Sequence, residues 1–392
     1  MEASRGQPME IAFITNICPH YHIKTFEVLA HYYDVDYCFF SAGDEWYWEQ
    51  KHGMRMGEFR YKYLPGFHLG RTRVTPSLVT RLWQGNYDVF VKCITGRFAL
   101  PATFLIAKLR RRPFVLWTGM WMHPQTLFHR LSFPVTRYIY HHADAIVVYG
   151  EHVKRYLVGL GVKAEKVFIA AHAVDNDLYS RSVSEEEKAA LRDRLGLSSA
   201  PKVVLYLGRL EESKGLCYLI EAFAMLPRDD TVLIFVGDGG WRARLEAQSQ
   251  RRGLAGSVRF PGYVPPGETL PYYALADVFV LPSVTVPAGK EPWGLVVNEA
   301  MNQGVPVVAT DAVGAAAGGL VQDGANGFVV HERDSVALSQ AIERILSDRE
   351  LRHRMSQNAR RIVAEWDNER MVEGFRQAVE FTLGLQRRDA WL

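Results

Sequence analysis

No apolar run in the 392 residues approaches the roughly 18 that a membrane-spanning helix requires, which argues against an integral membrane protein. Cysteine is scarce. Cys18, Cys38, Cys93 and Cys217 form neither a CxxC pair nor a disulfide-rich spacing, so they read as buried thiols in a reducing compartment. The opening MEASRGQPME has acidic residues and no apolar core of its own, unlike a signal peptide. There is no internal repeat and no low-complexity tract. A dehydrogenase is disfavoured, because GDGGWR lacks the third glycine of GxGxxG and the first strand carries no such motif. Nucleic acid is a poor fit as well, since the pI of about 8.5 lies below the value above ~9 expected of a binding domain. The expectation is a cytoplasmic protein.

What is present is ordinary globular composition, 48% hydrophobic and 23% charged, at a length that suits two domains with large cores. Charge is uneven along the chain. Residues 1–180 hold 21 Lys and Arg against 15 Asp and Glu, a net of +6, and the remainder holds 25 against 28, a net of −3. The basic half includes Arg110-Arg111-Arg112, Arg130, Arg137 and Lys154-Arg155, with the apolar-rich Leu127–Phe133 beside them. Two readings stand: a solvated face, or peripheral contact with the anionic inner face of a membrane or a lipid-phosphate acceptor.

Short apolar runs alternate with longer helical patterns, which is parallel α/β architecture. Strands are expected at Ile11–Thr15, Val35–Phe40, Val89–Lys92, Phe114–Trp117, Ala145–Val148 and Val167–Ala170, with a helix over Lys24–Tyr33. After the polar stretch Asp175–Ser199, whose SEEEKAALRDRLGL has an acidic first turn and a basic last turn suited to a helix, a second α/β set begins at Lys202. Its strands are VVLYLG (203–208), TVLIFVG (231–237), SVRFPG (257–262), DVFVLPS (277–283), VPVVAT (305–310) and GFVV (327–330). Helices fit LCYLIEAFAML (216–226) and WRARLEAQSQRRG, and two more occupy most of 334–385. The economical arrangement is two doubly wound, Rossmann-like domains, 1–180 and 181–366, facing across a cleft, with a helix near 367–392 packing back on the first. Open α/β sheets bind ligands at the carboxyl ends of their strands, so the chemistry is expected at those ends.

Glu291-Pro-Trp-Gly-Leu-Val-Val-Asn-Glu299 places two carboxylates eight positions apart around a turn and an apolar helix start. A carboxylate accepts two hydroxyl donors at once, which suits vicinal diols. Backbone N–H groups of Gly294, Leu295 and Val296 at a helix opening suit phosphate. Glu299 lies in the otherwise apolar LVVNEAM, where an unpaired carboxylate is costly. A ligand diol or a buried partner such as Arg would satisfy it. Arg209 and Lys214 stand five apart in LGRLEESKG, a loop leaving a strand, where two cations can stabilise a departing diphosphate. Two surface cations beside Glu211 and Glu212 are the plainer alternative.

Residues 203–330 resemble the nucleotide-binding domain of the family-4 retaining glycosyltransferases of GT-B fold. The resemblance rests on LGRLEESKG, VGDGG, ADVFVLPS and EPWGLVVNEAMNQGVPVVAT, the last similar to that family's Glu-x7-Glu signature. It implies that Arg209 and Lys214 hold the diphosphate of the sugar donor, Glu299 the ribose hydroxyls, and Glu291 the sugar hydroxyls. It also implies that Gly294 to Val296 offer backbone N–H groups, and that Gly208, Gly237, Asp238, Gly239, Tyr263 and Val264 border the rest of the nucleotide. No cofactor and no obligatory metal are implied.

The N-terminal half departs from the family pattern. The loop after the first strand is Asn16-Ile-Cys-Pro-His-Tyr-His rather than glycine-rich, so His20, His22 or Lys24 substitutes for those contacts or faces the acceptor. Thr118-Gly119 stands where relatives place a histidine, and His123 is the nearest candidate, with a structural histidine as the alternative. Trp46, Trp48, Trp117 and Trp121 invite sugar stacking or core packing, Trp46 and Trp48 being the better acceptor-side pair. The function expected is a retaining hexosyltransferase using a nucleoside diphosphate sugar, UDP ahead of GDP or dTDP. Its acceptor would be an alcohol of a saccharide, a lipid-linked sugar or a small molecule. A sugar-nucleotide epimerase, a phosphorylase and a non-catalytic nucleotide-sugar-binding protein are the alternatives.

Overall fold

The structure, a computed structural model, describes residues 8–41, 57–197, 201–227 and 230–385. The chain forms two compact units, one of Met1–Gly119, Leu127–Ala173 and Asn368–Leu392, the other of Met120–Thr126 and Val174–Asp367. The main division thus falls at Ala173/Val174, and a short segment after the first unit's fifth sheet strand counts with the second unit.

The first unit runs β1 (Glu10–Thr15), α1 (Ile23–Tyr32), β2 (Asp34–Phe39), β3 (Tyr61–Tyr63), β4 (Phe67–Leu69), β5 (Thr72–Val74) and α2 (Pro76–Gln84). It continues with β6 (Val89–Cys93), α3 (Ala99–Leu109), β7 (Phe114–Thr118), α4 (Leu127–His142), β8 (Ala145–Val148), α5 (Glu151–Gly159) and β9 (Val167–Ile169). Seven strands pair in parallel in the order β3-β2-β1-β6-β7-β8-β9, and β4 and β5 form a separate antiparallel pair. β6 and β7 are buried along their whole length, as strands covered by helices on both faces must be, which explains their unbroken apolar runs. The edge strand β3, the β4–β5 pair and α2 have no counterpart among the sequence expectations. At three residues each, the strands are too short to show a period of two. Asp34 and Asp36 have Asp-x-Asp spacing but are structural. Arg81 binds Asp36 through two hydrogen bonds of 2.8 Å, the Tyr87 hydroxyl donates to it as well, and Arg60 pairs with Asp34 at 3.1 Å.

The second unit opens with α6 (Asn176–Tyr179) and α7 (Glu185–Arg194), then alternates β10 (Lys202–Leu207), α8 (Leu216–Ala224), β11 (Thr231–Val236), α9 (Arg242–Arg251) and β12 (Val258–Gly262). α10 (Leu270–Leu275), β13 (Val278–Leu281), α11 (Val296–Asn302), β14 (Val307–Thr310), α12 (Gly314–Ala317) and β15 (Gly327–Val330) follow. α7 is locally specified: Ser184 and Glu187 form a reciprocal capping box, worth about 1 kcal/mol. The region expected to hold two helices holds three: α13 (Ser335–Ser347), α14 (Arg349–Val363) and α15 (Asn368–Thr382). Asp348 leaves the helical conformation at ψ 99° and caps α14 by accepting from the Leu351 N–H at 2.8 Å. α15 belongs to the first unit, where Thr25 Oγ1 donates to Asn368 at 2.6 Å and Phe375 packs 5.7 Å from Phe13.

The second sheet is ordered β12-β11-β10-β13-β14-β15 with every pair parallel. Successive crossovers carry the chain outward from β10 to β12, then back to β13 on the other side of β10. The reversal leaves a crevice outside the carboxyl ends of β10 and β13, the usual ligand position in such sheets.

Candidate active site

Four backbone segments converge at that switch point. Leaving β10, the Gly208 carbonyl excludes a side chain from the neighbouring loop: a Cβ on Gly237 would lie 2.0 Å from the Gly208 oxygen. The two loops are stitched together by Leu210 N–H to the Asp238 carbonyl at 2.9 Å, while Gly237 N–H reaches the Gly262 carbonyl at 2.8 Å. Further along, Gly215 adopts φ 64° and starts α8, its Cα facing the Pro282 carbonyl after β13. Val284 N–H donates to the Ser213 carbonyl at 2.9 Å, which ties the β13 exit to the same loop.

Lys214 is thereby aimed at Glu291. The two form an ion pair, each side chain only 14% exposed, and Ser283 Oγ donates to the same carboxylate oxygen at 3.2 Å. Burial works to raise the Glu291 pKa, but Lys214, Ser283 and the nearby Arg209 outweigh it and hold the carboxyl below its ordinary range. Arg209 is half exposed, paired with Glu211 at 2.9 Å, and its carbonyl accepts from the buried Tyr206 hydroxyl at 2.7 Å. Arg209, Lys214 and Glu291 therefore share one electrostatic neighbourhood.

Glu299 is buried in α11, and Tyr273 donates to it at 2.6 Å. Burial raises its pKa to about 7, while hydrogen bonds from Tyr273 and Tyr179 act to lower it. Its protein partners are thus two tyrosines, where sequence reasoning weighed only a buried arginine against a ligand. α11 is seven residues long, and within it Val297 N–H turns back to the Gly294 carbonyl at 2.9 Å and Glu299 N–H to Leu295 at 3.1 Å. Gly294 takes φ 93°, with Leu281 where a Cβ would stand, so this turn admits only glycine. Asp238 is exposed beside Gly239, and Tyr263 is exposed with Val264 in the loop after β12. A pocket of about 400 Å³ opens beside Tyr263 and Val264, lined also by Arg194, Arg259 and Tyr272, but it holds none of the charged residues above.

Residues 187–362 match the family model Glycosyl transferases group 1. Most of the second unit is thus similar to group 1 glycosyltransferases. Among curated proteins, the chain is 34% identical over 244 residues to alpha-D-kanosaminyltransferase of Streptomyces kanamyceticus, covering 60% of this chain and 61% of that one. It is 35% identical over 187 residues to the lipopolysaccharide core biosynthesis glycosyltransferase LpsE of Rhizobium meliloti, covering 47% and 52%. The chain thus spans about half to three-fifths of the length of these relatives. Among solved structures, HepE of Anabaena in complex with UDP matches 94% of this chain and 99% of its own at TM-score 0.74 and 22% identity. Its complex with UDP-glucose matches 96% and 100% at TM-score 0.73 and 24% identity. Both units therefore have the α/β architecture of GT-B glycosyltransferases.

The candidates of the N-terminal half divide between the units, with His22, Trp117, Thr118 and Gly119 in the first and Trp121 and His123 in the second. His22 is buried after β1, stacked on His172 at 5.1 Å and edge-on to Trp117 at 5.0 Å. Burial and then the neighbouring His172 and His20 hold it neutral, and burial lowers His172 to about 3. Thr118 and Gly119 end β7 in the same unit, with the Tyr149 ring filling the place a Gly119 Cβ would take. Trp117 is a core residue, 5.7 Å from Phe13 and 5.5 Å from Phe375. His123 goes with the second unit, as does Trp121, whose Nε1 donates to the Glu291 carbonyl at 3.0 Å while Lys290 lies 4.5 Å over its ring. Trp46 and Trp48 lie outside the described residues. Tyr273 and His172 were missed as site neighbours, with no signal in the sequence, while Trp121 had been weighed only for stacking or packing and Ser283 stood inside the ADVFVLPS motif.

Proposed function

We propose that the protein is a retaining glycosyltransferase that moves a hexose-type sugar from a nucleoside diphosphate sugar to an alcohol acceptor in polysaccharide or glycoconjugate biosynthesis. The observation that carries this reading is the Lys214–Glu291 ion pair beside Ser283 and Arg209, at the switch point of the second sheet. The pair sets a cation for a diphosphate next to a carboxylate for sugar hydroxyls. UDP is the preferred base because HepE, a structural neighbour, binds UDP and UDP-glucose. The names of the curated relatives, a kanosaminyltransferase and a lipopolysaccharide core biosynthesis glycosyltransferase, support a saccharide or glycoconjugate acceptor.

In this reading Arg209 and Lys214 bind the diphosphate, the Glu299 carboxylate accepts from the ribose diol, and Glu291 holds the sugar. Backbone N–H groups of Gly294 to Val296 complete the donor contacts, with Tyr263 and Val264 near the base. The acceptor is assigned to the first unit, at His20, His22, Thr118 and Gly119. The acceptor oxygen forms the new bond on the face from which the diphosphate leaves, and a departing phosphate oxygen takes the hydroxyl proton. Catalysis then comes from positioning and from the two cations, with no metal required.

The test is incubation with UDP-glucose, GDP-mannose and dTDP-glucose over an acceptor panel. Acceptor-dependent release of nucleoside diphosphate and a product of unchanged anomeric configuration by NMR are expected. An inverted product, or sugar nucleotide consumed without any transfer, overturns the reading.

A further inference from the structure

Helix α4 presents an apolar stripe to solvent. Leu127, Leu131, Val135 and Tyr138 recur at steps of four, four and three, which places them on one helical face, and all four are exposed, Leu131 by 74%. α3 lies alongside, with Phe104 packed 6.1 Å from Tyr138 and the Arg97 guanidinium 3.8 Å over the Phe128 ring. α3 exposes Leu105 and Leu109 in turn. Neighbouring helices with exposed leucines are uncommon on a monomer surface and mark an interaction site.

Charge selects the occupant. Arg130 and Arg137 are exposed on α4 beside the stripe, and Arg111 is exposed just beyond α3. No Asp or Glu occurs between Asp88 and Asp144, and Asp144 itself is paired with Lys108 at 2.8 Å. An ordinary solvated face mixes both signs, so an acid-free basic rim around an apolar centre is complementary to an anionic lipid surface. A second copy of the chain would set Arg130 and Arg137 against the same arginines across a two-fold axis, which disfavours it. No described helix is long and apolar enough to cross a bilayer.

We propose that the α3–α4 face docks this protein peripherally on an anionic lipid bilayer, with the α4 stripe entering the headgroup–acyl boundary and Arg130 and Arg137 pairing with lipid phosphates. The proposal requires no turnover and stands apart from the donor assignment.

The test is co-sedimentation of the full chain with vesicles of phosphatidylcholine alone and of equimolar phosphatidylcholine and phosphatidylglycerol. Binding to the mixed vesicles only, released by raised salt, is expected. Leu131→Glu abolishes it. Arg130→Gln/Arg137→Gln lowers the partition coefficient by roughly 30-fold, the scale of two basic side chains at an anionic surface. Both variants keep the parent thermal midpoint. Protein that stays in the supernatant with mixed vesicles, or variants that bind like the parent, overturns the proposal. So does a dimer in light scattering that Leu131→Glu dissociates, which assigns the face to a second copy.

Discussion

Tyr273 donates its hydroxyl to Glu299 at 2.6 Å in the interior of the second unit, where burial has moved that carboxyl from its ordinary 4.5 up to about 7. A carboxyl whose pKa is raised by folding favours the folded state at low pH, where it is protonated in both states. That contribution fades as pH climbs from about 4.5 through 7, because the folded protein must then ionise a buried group. Glu299→Gln therefore flattens the fall of thermal midpoint between pH 5 and 8. An unchanged pH profile in the variant would show that Glu299 does not carry the shift. The same group gives a binding signature. A ribose diol donates to the ionised form, so UDP binding near pH 7 releases a proton, read as a calorimetric heat that depends on the buffer.

Lys214 and Arg209 separate by stability. Both Lys214→Ala and Arg209→Ala are expected to lower turnover by about 10²-fold or more, the scale of losing a preorganised charge-stabilising group. Lys214→Ala also strands the nearly buried Glu291, costing about 3 kcal/mol. Arg209 is half exposed, and its loss leaves the thermal midpoint within about 1 °C of the parent, as expected for a surface cation. Equal destabilisation by the two substitutions contradicts this division.

Trp121 holds the Glu291 backbone. Trp121→Phe keeps the ring under Lys290 and removes only the 3.0 Å bond to the Glu291 carbonyl. A neutral hydrogen bond of roughly 1 kcal/mol predicts about a fivefold loss of kcat/KM, with UDP affinity unchanged. A drop in UDP affinity instead would make Trp121 part of the nucleotide site.

Gly215 is at φ 64° with the Pro282 carbonyl 2.0 Å from where a Cβ would sit. Gly215→Ala is expected to cost at least about 1 kcal/mol through backbone strain and to pull the Lys214 loop from the β13 exit. Urea unfolding and turnover should fall together. A variant of parental stability rules out the close approach.

The residues assigned to the proposed chemistry drew attention as a set of ordered motifs rather than one by one. Arg209, Lys214, Glu291 and Glu299 were weak signals taken singly and gained weight only from their places after buried strands and from each other, whereas the alternating apolar runs led directly to the parallel sheets. The partners of those residues were not legible, because hydrogen bonds at the site cross large sequence separations: 77 residues from Lys214 to Glu291, 170 from Trp121. Trp121 and Trp117 looked alike as candidates for sugar stacking, and only packing separated a core ring from one that anchors a carbonyl. The helix break at Asp348 was missed for the opposite reason, since a lone capping aspartate hardly disturbs a long amphipathic pattern.

Local chemistry in the chain settles what needs no distant partner: the strand and helix periods, the capping box of α7, and the glycines that leave room for carbonyls. Which charge meets which was decided by the order of strands around β10. That order brings the exits of β10 and β13 side by side, and burial there makes one glutamate an ion pair and the other a near-neutral acid.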